Sequence, residues 1–341
     1  MSEKIFQISV LALLSSITMA TVPEAPCSST SYVRGHPVQE WNYDLSTLPT
    51  QVRSWILSTA ISAGEVLTQR TGSLSWLWRN TEIIRNRARL NGFLYGQVDA
   101  EGRFSGDNIT FIYPDFLTGL RGTFKAGVLQ NARAVDVVGE RCNNGLKELK
   151  LEKSAHNQGV MWENTGSKLR QYGKNPRVMD PHERKAVYVG ESTNPRAEQG
   201  LFARRKFSPG DLVSYYGGER VFLKDIVYPN MTAEEVATAM MYTLVLGENM
   251  EELLVDVSQK NANITEYRTT LGHKANHMFQ GHNTVYQKGI DHPVLGRIGC
   301  IMAIQDIEPG QEIFTHYNYN PHTALLWYRQ EYTRLYGQTD I

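Results

Sequence analysis

Cysteine is nearly absent from this chain. Cys27, Cys142 and Cys300 are the only three, far apart and with no CxxC or CxC pair among them. That excludes a structural zinc site of four thiolates within the chain, and it supplies no disulfide framework for an extracellular life. A net charge of either sign is also missing, since 35 Lys and Arg balance 35 Asp and Glu. A zero balance argues against a dedicated nucleic-acid surface, which needs clustered cations, but it allows local acidic patches that grip a basic peptide. Long apolar runs are scarce. The one candidate, Ile5 to Ala20 (IFQISVLALLSSITMA) behind Lys4, is too short for a comfortable membrane span. It has the outline of a signal peptide, and it also reads as a short N-terminal helix or a misplaced start. The Asn-x-Thr sequons at Asn108, Asn230 and Asn263 are about what this composition gives by chance.

What is present is ordered by texture. A length of 341 residues has room for two cores. The hydrophobic N-terminal segment, 1–30, leads into an extension, 31–72, that is Pro- and Ser-bearing up to Pro49. Between Gln51 and Gln69, Val52, Ile56, Ala60, Ala63 and Leu67 recur at helical spacing, so this stretch is expected to be a helix. After Gly72 short aromatic and β-branched runs alternate with Gly, Asp and Asn: SWLW, FLYGQV, ITFIY and LRGTFKAG. These are expected to be strands of a few residues joined by tight turns, over 73–135. A related unit occurs twice, as YGQVDAEGRFSG and RGTFKAGVLQNA, a strand answered by a glycine turn each time. The stretch 136–185 has mixed charge and is expected to be a linker. Asp180-Pro181-His182-Glu183 then leads into a strand, Ala186 to Gly190.

Two segments carry the chemistry, Leu271–Tyr286 (LGHKANHMFQGHNTVY) and Gly310–Tyr319 (GQEIFTHYNY). An Asn-His dipeptide followed by an aromatic and a small polar loop, then a Gly-x-Glu strand ending in tyrosines, resembles the signature of SET-domain lysine methyltransferases. GHKANH with a tyrosine ten residues after its Asn resembles one branch, the histone H3 lysine-4 methyltransferases that carry MORN repeats before the SET domain. The glycine-turn hairpins resemble the last of those repeats. The resemblance implies an α+β, mainly β protein: a partial MORN-like antiparallel sheet, a SET domain over 186–319 with a threaded crossing of the two segments, and a C-terminal helix over 320–341.

The same resemblance implies S-adenosylmethionine as cofactor, no metal, and a one-step methyl transfer that rests on positioning and electrostatics. The cofactor loop is Pro195 to Phe202, where Gly200 permits close backbone approach; Ala197, Glu198 and Gln199 are implied to line the cofactor from one side and Asn276 and His277 from the other. Glu198 stands where the family often has glycine. Aromatic walls suit a lysine stem and its cationic tip, and Tyr216, Tyr286, Tyr317 and Tyr319 match the channel positions. Of these, Tyr317 is assigned the hydroxyl beside the transferring methyl, with Tyr216 and Tyr286 also catalytic; His277 is a cofactor and structural contact, not a general base. Trp327 and Glu331, in LLWYRQE, match residues that cover the adenine. Asn320-Pro321 is expected to cap the last helix, with Ala324, Tyr328, Tyr332 and Leu335 on one face and Gly337 ending it. The acidic run Glu248, Glu251, Glu252 and Asp256 faces either solvent or a basic tail. Expected partners are the histone H3 tail or other basic lysine-containing peptides, without sequence-specific nucleic-acid binding, and the chain is expected to be a monomeric nuclear, chromosome-associated enzyme. The alternatives are the secretory pathway, if the apolar run is a signal, and a SET-fold binding module without turnover. The hydroxyls of Tyr216, Tyr286 and Tyr319 predict a monomethyl product.

Overall fold

The computed structural model describes residues 68–70, 73–80, 92–96, 99, 103–115, 117–143, 146–166, 171–226, 232–246, 253–258 and 261–337. The hydrophobic segment 1–30, nearly all of the 31–72 extension and Glu248, Glu251 and Glu252 lie outside them. The chain is mainly β, as expected.

The first sheet is an antiparallel meander in chain order: β1 (Thr68–Arg70), β2 (Ser73–Asn80), β3 (Phe93–Gly96), β4 (Gly106–Ile112), β5 (Thr118–Lys125), β6 (Val128–Asn143) and β7 (Leu146–Lys153). The glycine-punctuated runs thus become hairpin strands. Thr68 and Gln69, read above as the end of a helix, pair with β2 instead. The expected linker also needs correction, because β6 and β7 carry the sheet well past residue 135. Half-buried Leu151 lies there between exposed Lys150 and Glu152, the two-residue period of a half-exposed strand rather than a linker. Gly122 sits opposite Ala132 in the β5–β6 pair, and a Cβ on it would lie 2.0 Å from the Asn131 carbonyl oxygen. Buried Trp162 then bridges to Ala132 through two main-chain hydrogen bonds and closes this corner.

A six-residue helix, α1 (Pro181–Ala186), joins this sheet to the second half of the chain. Asp180 caps it, its side chain accepting from the His182 amide, with Pro181 at the position where no amide is needed. Next come β8 (Val187–Glu191), β9 (Gln199–Ala203), β10 (Leu212–Tyr216), β11 (Glu219–Phe222), α2 (Ala233–Ala239), β12 (Thr243–Val245), β13 (Leu253–Asp256), β14 (Asn276–His277), β15 (Thr284–His292), β16 (Gly296–Ala303) and β17 (Glu312–Thr315). The second sheet runs β10-β16-β15-β17-β9-β8, with β14 parallel to β17; β11, β13 and β12 form a small third sheet. Segment 276–284 lies along β17 on both the β14 and β15 sides. Asn283 donates its side-chain N–H to the Glu312 carbonyl and accepts the Phe314 amide, and the Thr284 hydroxyl donates to the Phe314 carbonyl. The two motif segments of the sequence therefore meet strand against strand.

The last helix is α3 (Leu326–Tyr336), shorter than expected at its start. Asn320 caps the preceding turn, accepting the His322 amide on its side chain and the Ala324 amide on its carbonyl, and Leu325 precedes the helix without a side-chain cap. Gly337, at φ 81°, ends it as expected. One core is shared by the two halves: Ile109, Phe111, Tyr113, Leu120 and Trp162 of the first pack with Tyr215, Tyr216, Val255 and Ile298 of the second. A second core, with Leu201, Val213, Leu271, Ile301 and Ile313, lies beneath β9, β10 and β14. Among the described residues no helix is long and apolar enough to cross a membrane.

Candidate active site

Strands β8 and β9 form a hairpin whose tip, Ser192 to Glu198, is the loop expected to hold a cofactor. The loop is held by its own polar groups. The Asn194 side chain accepts the Arg196 amide and its carbonyl accepts the Ala197 amide, while the Asn194 amide donates to the Ser192 hydroxyl. Beside it opens a cleft of about 1110 Å³, bounded by this loop, by segment 273–280, by Tyr317 and by α3. Ala197, Glu198, Gln199, Asn276, His277, Trp327 and Glu331 all line this cleft.

Glu312 organises the cleft wall, and its role was not visible in the sequence. It is 4% exposed. Its carboxylate accepts from the Ser192 hydroxyl (2.6 Å), the Thr193 amide (2.7 Å), the Thr193 hydroxyl and the Asn276 side-chain N–H (3.2 Å). Asn276 also donates to the Gln199 carbonyl at 2.9 Å, so the β9 edge, the loop and the Asn-His dipeptide form one unit. Gly200 is required at its base: a Cβ there would lie 2.1 Å from a Glu312 carboxylate oxygen.

The His277 ring is tied to the start of the tyrosine segment. Its Nδ1 accepts the Tyr317 amide at 3.1 Å, which leaves the ring proton on Nε2, a buried atom with no protein partner. Burial, helped by His316, pushes the imidazole down to about 4. With its Nδ1 lone pair committed to an amide, the His277 ring is poorly placed to act as a base. Lys274, not singled out in the sequence, donates to the Gln199 side chain at 3.0 Å; burial holds its amine below the ordinary lysine value, against the pull of Glu198. Glu331 bridges two elements, paired with Arg196 of the loop at 3.2 Å and with Arg334 of its own helix. Trp327, 37% exposed, stands at the rim with its ring 5.9 Å from that of His277.

The four tyrosines matched to channel positions in the sequence lie side by side in the structure. Ring centroids lie 5.7 Å apart for Tyr216 and Tyr286, 6.4 Å for Tyr286 and Tyr317, and 5.2 Å for Tyr317 and Tyr319. Tyr216 donates its hydroxyl to the Tyr242 carbonyl, Tyr317 to the Ala275 carbonyl and Tyr319 to the Met241 carbonyl. Burial first, then the neighbouring phenols, holds all four well above the ordinary tyrosine value. They are neutral, and a hydroxyl whose proton is spent on a carbonyl still offers lone pairs to an N–H donor. Tyr317 belongs both to this cluster and to the cleft wall, so the two compartments meet there.

A buried polar network lies behind the site. His182 sets one ring nitrogen 3.0 Å from the Asp115 carboxylate and the other 3.3 Å from the Val213 carbonyl, so both ring nitrogens face acceptors, an environment that favours the charged imidazole. Burial alone would push His182 down, but Asp115 outweighs it and holds the imidazole above its ordinary value. Next to it, burial pushes Glu183 up to about 7, against His182 and the hydrogen bonds it accepts.

Residues 198–318 match the family model for the SET domain, and residues 86–144 match the one described as "Histone H3 K4-specific methyltransferase SET7 N-terminal". The chain is 29% identical over 232 residues to the histone-lysine N-methyltransferase SETD7 of Halocynthia roretzi, covering 67% of this chain and 56% of that protein. The chain therefore spans little more than half the length of this relative. Solved structures with partial likeness include the Chaetomium thermophilum polycomb repressive complex 2, as a humanized mutant bound to GSK126 (25% identity, 39% of this chain and 15% of that one, TM-score 0.29). The ctPRC2 complex bound to S-adenosylmethionine is a second (24% identity, 44% and 17%, TM-score 0.31); at these scores neither carries an argument.

Proposed function

We propose that this chain, a SET domain behind a SET7-type N-terminal segment, is an S-adenosylmethionine-dependent protein-lysine N-methyltransferase. The observation that carries the reading is the position of Tyr317, which stands between a cleft of cofactor size and a cluster of buried, neutral tyrosines. The cleft fits the cofactor on its own chemistry. His277 Nε2 is a buried donor without a protein partner, Lys274 supplies a cation for a carboxylate, and Trp327 supplies an aromatic face at the rim. When bound, the cofactor supplies an electrophilic methyl group.

The remaining work falls to side chains. Asn276 and Glu312 hold the loop so that Ala197, Glu198 and Gln199 face the cleft. The phenol rings enclose a lysine stem and exclude water, which lowers the amine's affinity for its proton. The Tyr317 hydroxyl, its own proton held by the Ala275 carbonyl, accepts from the amine and orients its lone pair. No strong base is needed. The substrate is a lysine in a basic peptide, with the fourth-position lysine of histone H3 as the first to test, and the setting is nuclear chromatin, the chain acting as a monomer. The glycine-turn hairpins serve as MORN-type repeats that steady the catalytic half.

Transfer of labelled methyl to a histone H3 peptide by the purified protein is the test, with Tyr317→Phe as the comparison. Loss of one orienting hydrogen bond, worth about 1–2 kcal/mol, should slow the variant by about one order of magnitude while cofactor binding persists. Equal rates would remove Tyr317 from this role, and cofactor binding without transfer by either protein would make the chain a binding module.

A further inference from the structure

Glu183 is fully buried in α1 and does not line the cleft. Its two carboxylate oxygens accept from different parts of the catalytic half. One takes the Tyr215 amide at 2.6 Å; the other takes the Ser214 hydroxyl at 2.8 Å and the Leu271 amide at 3.3 Å. Tyr215 immediately precedes the channel residue Tyr216. Leu271 opens the turn Gly272–Lys274 that delivers Asn276 and His277. The two segments are pressed together at this point, since a Cβ on Gly272 would lie 2.6 Å from the Tyr215 carbonyl oxygen. On the far side the Gly217 amide donates to the Thr270 hydroxyl at 2.8 Å, a second tie between the same strands of chain. The helix that carries Glu183 is itself held at its start by Asp180, which accepts from the Tyr113 hydroxyl and faces a ring nitrogen of His292.

We infer that Glu183 is a positioning residue for methyl transfer, its carboxylate fixing the cofactor-binding segment against the strand that carries the lysine channel. The inference rests on the methyltransferase reading. It differs from a merely structural role in what each oxygen governs. Glu183→Gln is nearly isosteric and keeps one oxygen for the Tyr215 amide, the shorter bond. It turns an N–H toward the Leu271 amide, donor against donor, so the cofactor side loses its acceptor and the channel side does not.

Two measurements test this on the full chain. In hydrogen exchange without cofactor, residues 271–277 of Glu183→Gln should lose protection while 213–217 keep theirs. In titration calorimetry, S-adenosylmethionine should bind about five- to tenfold more weakly, and in turnover KM for the cofactor should rise by the same factor with KM for the peptide unchanged. Glu183→Asp, which keeps the charge but shortens the reach, should move cofactor affinity in the same direction and serves if Glu183→Gln does not fold. Ser214→Ala leaves both amide ties in place and should bind cofactor within about twofold of wild type. Equal cofactor affinity in wild type and both Glu183 variants, or a uniform loss of protection, overturns the positioning role alone. A wild type that binds no cofactor overturns the methyltransferase reading and this role with it.

Discussion

At the scale of single residues, product state is the most exposed consequence of the tyrosine cluster. Each added methyl replaces an N–H that can donate with a group that cannot, and it needs room to turn. Hydroxyls at Tyr216, Tyr286 and Tyr319 favour an amine that still has hydrogens, so the wild-type product should be monomethyl-lysine. Tyr286→Phe removes one polar contact worth about 1 kcal/mol and should raise the dimethyl fraction several-fold, read by mass spectrometry of the modified peptide. Lower activity with an unchanged product would mean that Tyr286 only fills volume. Gly200→Ala is the second test. Its Cβ would overlap the Glu312 carboxylate, so the Glu312–Ser192–Thr193–Asn276 unit must shift. Cofactor affinity should fall about tenfold or more, measured by titration calorimetry. Side chains at motif positions were legible in the sequence, since a motif is a local string. The roles of Glu312 and Glu183 were not, because their meaning lies in partners up to 120 positions away.

Elements were legible where one rule dominated. Gly-punctuated aromatic runs could only be hairpins, and β2 to β5 formed where such runs stood. Other elements went astray because local cues competed. In β6 and β7 alternating charge disguised a two-residue period, and long strands tolerate charge on a face that meets water. At the C-terminal helix, Asn-Pro is a strong capping signal, yet Asn320 spends it on a turn of its own before Leu325. The β5–β6–Trp162 corner shows what holds the first sheet onto the rest. Trp162 is 1% exposed and packs in the core shared with the second half. Trp162→Ala should destabilise the protein by about 3–5 kcal/mol, measured by chemical denaturation. A loss under about 1 kcal/mol would mean that the corner collapses to fill the space.

For the whole molecule, the shared core and the buried network behind the site predict how stability follows pH. The second half buries His273, pushed down to about 3 by burial and then by Lys274, and His277, pushed down to about 4 by burial and then by His316, with His282 adding to it and Glu331 opposing. Unfolding frees both to their ordinary 6.5, so between about 4 and 6.5 the unfolded chain binds more protons and stability rises with pH. Glu183 opposes them, since a carboxyl raised from 4.5 to about 7 makes the folded state the better proton binder over that window. Two histidines outweigh one carboxyl, and the net slope stays positive. Above 6.5 the sign reverses. His182, facing Asp115, Glu183 and Arg205, is raised above its unfolded value, so its contribution is lost as pH climbs through the folded value. Melting temperature should therefore peak near pH 6.5 and fall toward pH 9. His182→Gln cannot carry the charge; it should melt lower at neutral pH and show no His182-linked fall above pH 7. Because His182 and Asp115 tie the first sheet to α1, and one core spans both halves, wild type should melt in a single transition across the range. An alkaline fall as steep in His182→Gln as in wild type would place its origin outside this network.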